Sequence, residues 1–341
     1  MPRIFVTRII PEPGLDMLRE HCEIELNMAD RVLLKRELIE GIRDKEGLLC
    51  LLTDMIDEEV MNAAPCLKVI SNYAVGYNNI DVKAATVRGI QVTNTPGVLT
   101  ETTAEHTWAL LMAAARRIPE ADRFTRQGKF RGWSPTLFLG TDIRGKILGI
   151  VGMGRVGRAV ARMASGFDLK ILYTARQPLD SASEEAHRAH FAPLGALLCE
   201  SDFITIHVPL VPETFHLIGA GELAAMKSSA ILVNTSRGPV VDEKALAKAL
   251  HAGVIRGAAL DVYEDEPRLA EGLADLPNVV LSPHIASATL ETRSRMAYLA
   301  ALNLLSVLKG ETPPHPVNEI RGRGFGAGNR EALSQPLTPD P

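Results

Sequence analysis

Three residue types that together can reduce a carbonyl group occur late in the sequence, each after an apolar run. Arg237 follows AILVNTS, Glu266 follows GAALDVYED, and His284 follows NVVLSP. A histidine can give a proton to a carbonyl oxygen, and a carboxylate on its other ring nitrogen orients the ring. An arginine can bind a substrate carboxylate and stabilise charge that develops on the carbonyl oxygen. These residues indicate hydride reduction of a 2-keto acid.

The predicted position of the three side chains supports this interpretation. Each is expected at or just beyond the carboxyl end of a strand, where open α/β sheets bind ligands. Alone, Arg237 could form a surface ion pair and Glu266 could cap a helix. A single histidine is more often structural than catalytic, and we interpret His106, His207 and His251 in that way. Together, the three indicate a hydroxyacid dehydrogenase.

A glycine pattern typical of dinucleotide sites precedes the catalytic candidates. Gly152, Gly154 and Gly157 form G-x-G-x-x-G between the apolar run KILGIV and the helical pattern RVGRAVARMASG. The first glycine permits a tight turn, the second lets the backbone approach a pyrophosphate, and the third lets the helix pack against the strand. The helix start then offers N–H groups to the anion. The context predicts a bound dinucleotide; a glycine-rich turn without a ligand is the alternative.

The stretch LKILYTARQP, residues 169–178, indicates which dinucleotide is preferred. Its strand should end in an acidic residue that binds the ribose hydroxyls of NAD, but Ala175 and Arg176 stand there. A carboxylate would repel the 2′-phosphate of NADP, whereas an arginine binds a phosphate through parallel charge-assisted hydrogen bonds. We therefore predict NADP in preference to NAD. If Arg176 is only a solvated surface residue, NAD is still accepted.

Composition and charge argue against several other classes. Of the 341 residues, 46 % are hydrophobic and 23 % charged, which indicates a globular protein of two domains. The net charge of −4 offers no basic surface for nucleic acid, and no apolar run approaches the roughly 18 residues of a membrane helix. Four scattered cysteines indicate reduced thiols in the cytoplasm. His187 and His190 have no third ligand nearby, so no metal is predicted.

Two series of alternating strands and helices must position these residues. The first comprises IFVTRI, EIEL, GLLCLL, KVISNYA and IQVTNT; the second comprises KILGIV, KILYT, FITIHV, AILVNT, GAALDV and NVVLSP. Repeated β-α order predicts an α/β fold with parallel sheets covered by helices. Long helices are predicted over 100–118 and 288–310. Residues 128–145 lack a period and form either an arm onto a partner subunit or a surface loop.

The sequence resembles the D-isomer-specific 2-hydroxyacid dehydrogenases, and most closely the glyoxylate/hydroxypyruvate reductases among them. The resemblance covers about residues 3–318. It is carried by SNYAVGYNNID (71–81), NTPGVLTETTAEHTWALLMAAAR (94–116), GIVGMGRVG (149–157), NTSRG (234–238), LDVYEDEP (260–267) and SPHIASAT (282–289).

This resemblance implies a homodimer of two-domain subunits with doubly wound parallel sheets. A Rossmann-like dinucleotide-binding domain, 100–288, is inserted into a flavodoxin-like substrate-binding domain, 1–99 and 289–318. Residues 319–341 are expected to form a disordered tail, since the sequence from Arg321 is rich in Gly, Pro and polar residues. The small 2-keto or 2-hydroxy acid is the expected partner, with no nucleic acid and no membrane.

The resemblance also implies individual roles. Arg237 would bind the substrate carboxylate and carbonyl, Glu266 would pair with the histidine, and His284 would be the general acid/base. Backbone N–H groups of Val75 and Gly76 would bind the substrate carboxylate. Five further residues would line the cofactor: Thr103, Arg155, Val156, Thr235 and Asp261. Of these, Asp261 would reach the nicotinamide carboxamide.

Some alternatives stay open at this point. Relatives often carry a second tryptophan four residues after the first, but here the position four residues after Trp133 is Leu137. This difference leaves the choice among glyoxylate, hydroxypyruvate and bulkier keto acids open. A 2-ketogluconate-type reductase shares every catalytic residue. Phosphite dehydrogenase, loosely similar in FRGWSP, and a cofactor-sensing corepressor on the same scaffold are further alternatives. We expect NADPH-dependent reduction of glyoxylate and hydroxypyruvate to the D-2-hydroxy acid.

Overall fold

The computed structural model describes residues 1–320 and divides the chain into two compact units. The first comprises Met1–Leu99 and the described residues 288–320, and the second comprises Thr100–Ser287. The tail predicted for 319–341 lies, from position 321, outside the described residues. Among residues 1–320, no helix has both the length and the apolar character needed to cross a membrane.

The first unit is built on a parallel sheet of five strands. Its strands and helices in chain order are β1 Arg3–Val6, α1 Glu12–His21, β2 Glu23–Leu26, α2 Lys35–Ile42, β3 Gly47–Cys50, α3 Glu58–Asn62, β4 Val69–Asn72, α4 Val82–Val87 and β5 Gln91–Thr93. The strand order is β2-β1-β3-β4-β5, with every pair parallel. This is the flavodoxin-like doubly wound order that the family resemblance implied.

Two features of the sequence explain this unit. Its central strands β3 and β4 are buried along their whole length, because helices cover both faces of the sheet. The side chains of Asp57 and Asp81 cap α3 and α4 by accepting the N–H groups of Val60 and Ala84. A helix from the end of the chain, Leu290–Leu308, completes the unit, and its buried face packs against the core of β1, β3 and β4.

The second unit is built on a parallel sheet of seven strands. Its strands and helices are α5 Thr100–Ala115, α6 Ile118–Arg126, β6 Ile147–Val151, α7 Arg155–Met163, β7 Lys170–Thr174, α8 Ser181–His187, β8 Ala189–Phe191, α9 Leu194–Glu200, β9 Phe203–Ile206, α10 Ala220–Ala225, β10 Ile231–Asn234, α11 Glu243–His251, β11 Gly257–Leu260 and β12 Val279–Leu281. The strand order, β12-β11-β10-β9-β6-β7-β8, is that of a Rossmann-like sheet. One hydrophobic cluster includes side chains of α5 and α7, and another those of α9, α10 and α11.

The predicted helix over 100–118 was too long. Helix α5 ends at Ala115, and Arg117 adopts a left-handed conformation with φ of 55° before α6 begins. Proline at position 119 fits the first turn of a new helix but not the interior of an old one. Strand β8 was not predicted, because its three residues include two exposed ones and show no apolar run.

Candidate active site

A tight turn follows β6 and leads into α7. Gly152 has φ of 101°, a conformation that favours glycine, and its N–H donates to the carbonyl oxygen of Thr174 at 2.9 Å. This bond joins the turn to the end of the neighbouring strand β7. A Cβ atom on Gly157 would lie 2.1 Å from the carbonyl oxygen of Gly152, so only glycine lets α7 approach the turn this closely.

The turn leaves a space that fits a dinucleotide pyrophosphate. A Cβ atom on Gly154 would meet nothing within 4 Å, and the residue is exposed. Among residues 1–320, no side chain caps the start of α7, whose first residues are Arg155 and Val156. An anion placed beside Gly154 would therefore meet uncapped N–H groups and the positive end of the helix dipole.

Arg176 follows β7, the strand whose end is hydrogen-bonded to this turn. It is exposed and stands two positions after Thr174, the residue whose carbonyl accepts the N–H of Gly152. Its neighbour Ala175 is only partly exposed and carries no charge. The end of β7 therefore offers a cation where an acidic residue would be needed to bind ribose hydroxyls.

The catalytic candidates Glu266 and His284 form a hydrogen-bonded pair. Oε2 of Glu266 lies 2.9 Å from Nδ1 of His284, and Oε1 accepts the backbone N–H of Tyr263 at 3.0 Å. Burial opposes ionisation of Glu266, but the hydrogen bond from His284, the N–H of Tyr263 and the charge of Arg237 together hold its pKa below the usual value. Glu266 is therefore an ionised acceptor, which places a proton on Nδ1 and leaves Nε2 as the free end of the ring.

Arg237 is a partly buried cation near this pair. Burial lowers the pKa of its guanidinium, and the charge of Glu266 opposes that shift, so the side chain stays protonated. Its Nη1 atom donates to the carbonyl oxygen of Ser236 at 2.7 Å. A partly buried guanidinium that donates to a neutral carbonyl gains stability from an added anion, and a substrate carboxylate is such an anion.

The segment that carries Arg237 is packed directly on the segment that carries Glu266. A Cβ atom on Gly238 would lie 1.8 Å from the carbonyl oxygen of Tyr263, so the two backbones touch without an intervening side chain. The carboxylate of Glu243 accepts the N–H groups of Glu264 and Ala270 at 2.7 and 2.6 Å. The spacing of the two segments is therefore fixed by backbone contact.

Asp261 is placed differently from the expectation of a direct cofactor contact. Its side chain is fully buried, and its carboxylate accepts Oγ–H of Ser282 at 2.6 Å and the N–H groups of Ile285 and Ala286 at 2.9 and 2.8 Å. Burial opposes its ionisation, but hydrogen bonds from His106, Ser282 and the two amides lower its pKa. A contact between Asp261 and the nicotinamide stays a prediction, and it would require the carboxylate to be uncovered.

The remaining predicted residues lie in both units. Thr103 and Thr235 are buried in the second unit, and Thr107 links them through bonds to the carbonyl of Thr103 and the hydroxyl of Thr235, each 2.8 Å long. Val75 and Gly76 follow β4 in the first unit and are partly exposed. Their carbonyls accept side-chain amides of Asn94 and Asn72 at 2.7 and 2.8 Å. Those bonds hold the loop by its carbonyl groups, and the substrate role of its N–H groups stays a prediction.

The structure also reveals polar neighbours of His284 that the sequence analysis did not single out. Ser282 bonds to Asp261, and the hydroxyl of Tyr263 donates to the carbonyl oxygen of Ser282 at 2.8 Å. His106, interpreted as structural, lies with its Nε2 atom 3.1 Å from Oγ of Ser282. Only the stretch SPHIASAT gave a signal for Ser282, and a separation of 176 residues hides its contact with His106.

Known proteins resemble this chain over nearly its whole length. A family model described as "D-isomer specific 2-hydroxyacid dehydrogenase, NAD binding domain" matches residues 108–286. A protein of Korarchaeum cryptofilum named glyoxylate reductase is 54 % identical over 95 % of this chain and 99 % of its own. One of Thermococcus gammatolerans with the same name is 52 % identical over 93 % and 96 %.

A solved structure adds a further comparison. The crystal structure of an NADPH-dependent glyoxylate/hydroxypyruvate reductase from Sinorhizobium meliloti, in complex with NADP and malonate, is 35 % identical. It has a TM-score of 0.82 and covers 93 % of this chain and 96 % of its own. Matches of this extent, on a chain with the glycine turn and the Glu266–His284 pair, show that the protein belongs to the D-isomer specific 2-hydroxyacid dehydrogenases and is an NAD(P)-dependent enzyme.

Proposed function

We propose that this enzyme uses NADPH to reduce glyoxylate, and also hydroxypyruvate, to the D-2-hydroxy acid. The observation that carries the proposal is the ionised Glu266 on Nδ1 of His284, with the partly buried guanidinium of Arg237 nearby. Relatives named glyoxylate reductase at 54 and 52 % identity support the choice of substrate.

His284 supplies the proton in this proposal. Bound NADPH would supply a hydride to the carbonyl carbon. The carbonyl oxygen then takes a proton from Nε2 of His284, because Nδ1 is held by Glu266. The negative charge of Glu266 stabilises the protonated ring before transfer and fixes its direction.

Arg237 binds the substrate. Its guanidinium forms charge-assisted hydrogen bonds with the substrate carboxylate and stabilises negative charge that develops on the carbonyl oxygen. The backbone N–H groups of Val75 and Gly76 are further proposed donors to a substrate carboxylate. Small pockets separate substrates that differ by one methylene by only about 1–3 kcal/mol, so overlapping activity on glyoxylate and hydroxypyruvate is expected.

The preference for NADP rests on Arg176. Its exposed guanidinium beside the end of β7 would bind the 2′-phosphate, while Gly152, Gly154, Gly157 and the start of α7 cradle the pyrophosphate. Thr103, Arg155, Val156, Thr235 and Asp261 complete the proposed cofactor set.

Substitution of Arg176 tests this preference. In Arg176→Ala, the NADPH/NADH ratio of kcat/KM should fall about 10- to 100-fold, since charge-assisted hydrogen bonds contribute about 1.5–3 kcal/mol before solvent screening. Steady-state kinetics with both reduced cofactors measure the ratio. Arg126→Ala is a matched control, because Arg126 is an exposed arginine on α6 that pairs with Asp122. An unchanged ratio in Arg176→Ala removes the assignment.

A panel of 2-keto acids tests the substrate. Initial rates with glyoxylate, hydroxypyruvate, 2-ketogluconate and pyruvate should be highest, as kcat/KM, for the first two. Highest kcat/KM with 2-ketogluconate would replace this proposal with a 2-ketogluconate-type reductase. Binding of NADPH without oxidation by any of the four acids would point to a cofactor-sensing binding protein.

A cytoplasmic homodimer is the proposed form of the enzyme. All four cysteines are free thiols, and burial raises the pKa of Cys22 to about 11, so that thiol stays protonated and unreactive. This agrees with a reducing compartment. The exposed apolar side chains between α6 and β6 support the dimer.

A further inference from the structure

A cluster of three side chains lies behind the loop that carries His284. We define the brace as His106 on α5, Asp261 after β11 and Ser282 after β12. Nε2 of His106 lies 3.1 Å from Oγ of Ser282 and 3.3 Å from Oδ1 of Asp261. Oγ of Ser282 in turn lies 2.6 Å from Oδ1 of Asp261.

The direction of each hydrogen bond in the brace follows from its chemistry. Asp261 is ionised and can only accept, so the single hydroxyl proton of Ser282 is committed to it at 2.6 Å. Nε2 of His106 therefore faces two acceptors, Oγ of Ser282 at 3.1 Å and Oδ1 of Asp261 at 3.3 Å, and a proton on Nε2 is the donor to them. His106 thus acts as a donor that fixes the rotation of the Ser282 hydroxyl.

The brace holds the backbone on both sides of His284. Before it, Ser282 is held by its side chain; after it, the N–H groups of Ile285 and Ala286 donate to the two oxygens of Asp261. Between these points His284 adopts φ of 53°, a left-handed conformation that is uncommon in residues other than glycine. The surrounding hydrogen bonds must maintain that conformation, and with it the direction of the ring toward Glu266.

We propose that His106 is a positioning residue that, through Ser282 and Asp261, holds the His284 loop in its left-handed conformation. The inference rests on the proposed role of His284 as proton donor. His106 itself touches neither Glu266 nor His284 through any hydrogen bond found among residues 1–320.

Two substitutions of His106 test the proposal. His106→Leu removes the donor, whereas His106→Gln retains an N–H group at a similar distance from the backbone, and both residues are good helix formers. Hydrogen exchange of the Ile285 and Ala286 amides in the protein without cofactor should accelerate about tenfold in His106→Leu, the factor for about 1.4 kcal/mol. In His106→Gln it should stay within about threefold of the wild type.

Kinetics supply the second readout. In His106→Leu, kcat should fall about tenfold while KM for NADPH stays within about twofold, and His106→Gln should restore most of kcat. His251→Leu, an exposed histidine on α11, is the matched control and should change neither quantity.

Three results would overturn the inference. Unchanged exchange at Ile285 and Ala286 in His106→Leu would show that the brace does not hold the loop. If amide exchange at Ile206, in the centre of the sheet, accelerates equally in His106→Leu, then His106 stabilises the whole fold and not the loop in particular. A raised KM for NADPH with unchanged kcat would make it a cofactor contact. A wild-type protein that reduces no 2-keto acid would end the proposed function but leave the exchange result intact.

Discussion

At the scale of single residues, the proposed role of His284 depends on its backbone conformation as much as on its ring. Its φ of 53° is rare outside glycine, and such strain persists only where neighbouring contacts maintain it. Here two backbone N–H groups bonded to one buried carboxylate provide those contacts. Proton donation, in the proposed mechanism, is thus prepared before any substrate arrives.

Removal of the His284 imidazole should slow the chemical step and leave the affinity for NADPH nearly unchanged. In His284→Ala, kcat should fall about 10²- to 10⁴-fold, the usual contribution of a general acid, while the Kd of NADPH changes less than about threefold. Single-turnover kinetics and fluorescence titration measure the two quantities. His187→Ala, at the end of α8, serves as the control. A kcat close to that of the wild type would place the proton donor elsewhere.

The residues of the site differ in how far sequence alone could predict them. Arg237, Glu266 and His284 follow three neighbouring parallel strands, so chain order alone predicts that they lie at one sheet edge. The brace could not be predicted, because His106 lies on a helix and its partners are 155 and 176 positions away in a sequence without a matching pattern (261 − 106 and 282 − 106).

At the scale of elements, apolar runs predicted the strands well but extended them too far. The sequence suggested a strand through AILVNT, yet β10 is Ile231–Asn234, and GAALDV contains β11 as Gly257–Leu260. Asn234 is still paired in β10, and its side chain bonds to Ser236 and Arg237, where the chain leaves the sheet. Asp261 lies beyond the end of β11, and its carboxylate accepts the N–H groups of Ile285 and Ala286.

The second and third glycines of the pattern, Gly154 and Gly157, should respond differently to substitution by alanine. Gly154→Ala should leave the melting temperature nearly unchanged, because its Cβ would enter open space, but should weaken NADPH binding at least about tenfold. Gly157→Ala should destabilise the fold by about 1–3 kcal/mol, the cost of overpacking. Calorimetry and cofactor titration measure both, with Gly195→Ala as a control in open space. Full NADPH affinity in Gly154→Ala would contradict the cradle.

A histidine at the end of β9 should make the second unit sensitive to acid. Nε2 of His207 is covered and has no hydrogen-bond partner among residues 1–320, and burial lowers the pKa of the ring to about 3. The unfolded chain takes up this proton below about pH 6.5, but the folded chain does not. The contribution of His207 to stability is therefore complete above that pH and is lost as pH falls toward about 3.

Denaturation at several pH values tests this contribution. Between pH 6 and 4, the unfolding free energy of the wild type should fall by up to about 1.4 kcal/mol per pH unit more than that of His207→Gln. His190→Gln, an exposed histidine on β8, should behave like the wild type. Parallel curves for the wild type and His207→Gln would show that the ring titrates normally.

At the scale of the whole molecule, the stretch between α6 and β6 exposes apolar side chains that a monomer would leave in water. Trp133 is 85 % exposed, Leu139 60 % and Phe130 55 %. Part of the stretch is anchored to its own unit, since Thr141 N–H donates to Ala115 at 2.8 Å and Arg117 lies over the Phe138 ring. Because one part of the stretch is anchored and another exposes large apolar side chains, an arm onto a partner subunit is favoured over a surface loop.

Light scattering should therefore find a dimer. The double substitution Phe130→Ser and Trp133→Ser should shift the mass toward the 37.0 kDa of one chain at micromolar concentration, because it removes two large apolar contacts. Ile118→Ser, an exposed apolar residue on α6 outside the stretch, is the control. A wild-type mass of one chain at all concentrations would make the stretch a surface loop.

The bare contact at Gly238 has a consequence for engineering. Because no side chain separates Gly238 from Tyr263, the loop that carries the arginine and the loop that carries the glutamate are in direct backbone contact. A redesign that exchanges either loop alone for that of a relative would misalign the other. The substrate range is therefore more easily changed by exchanging both loops together, or by substituting residues far from this backbone contact.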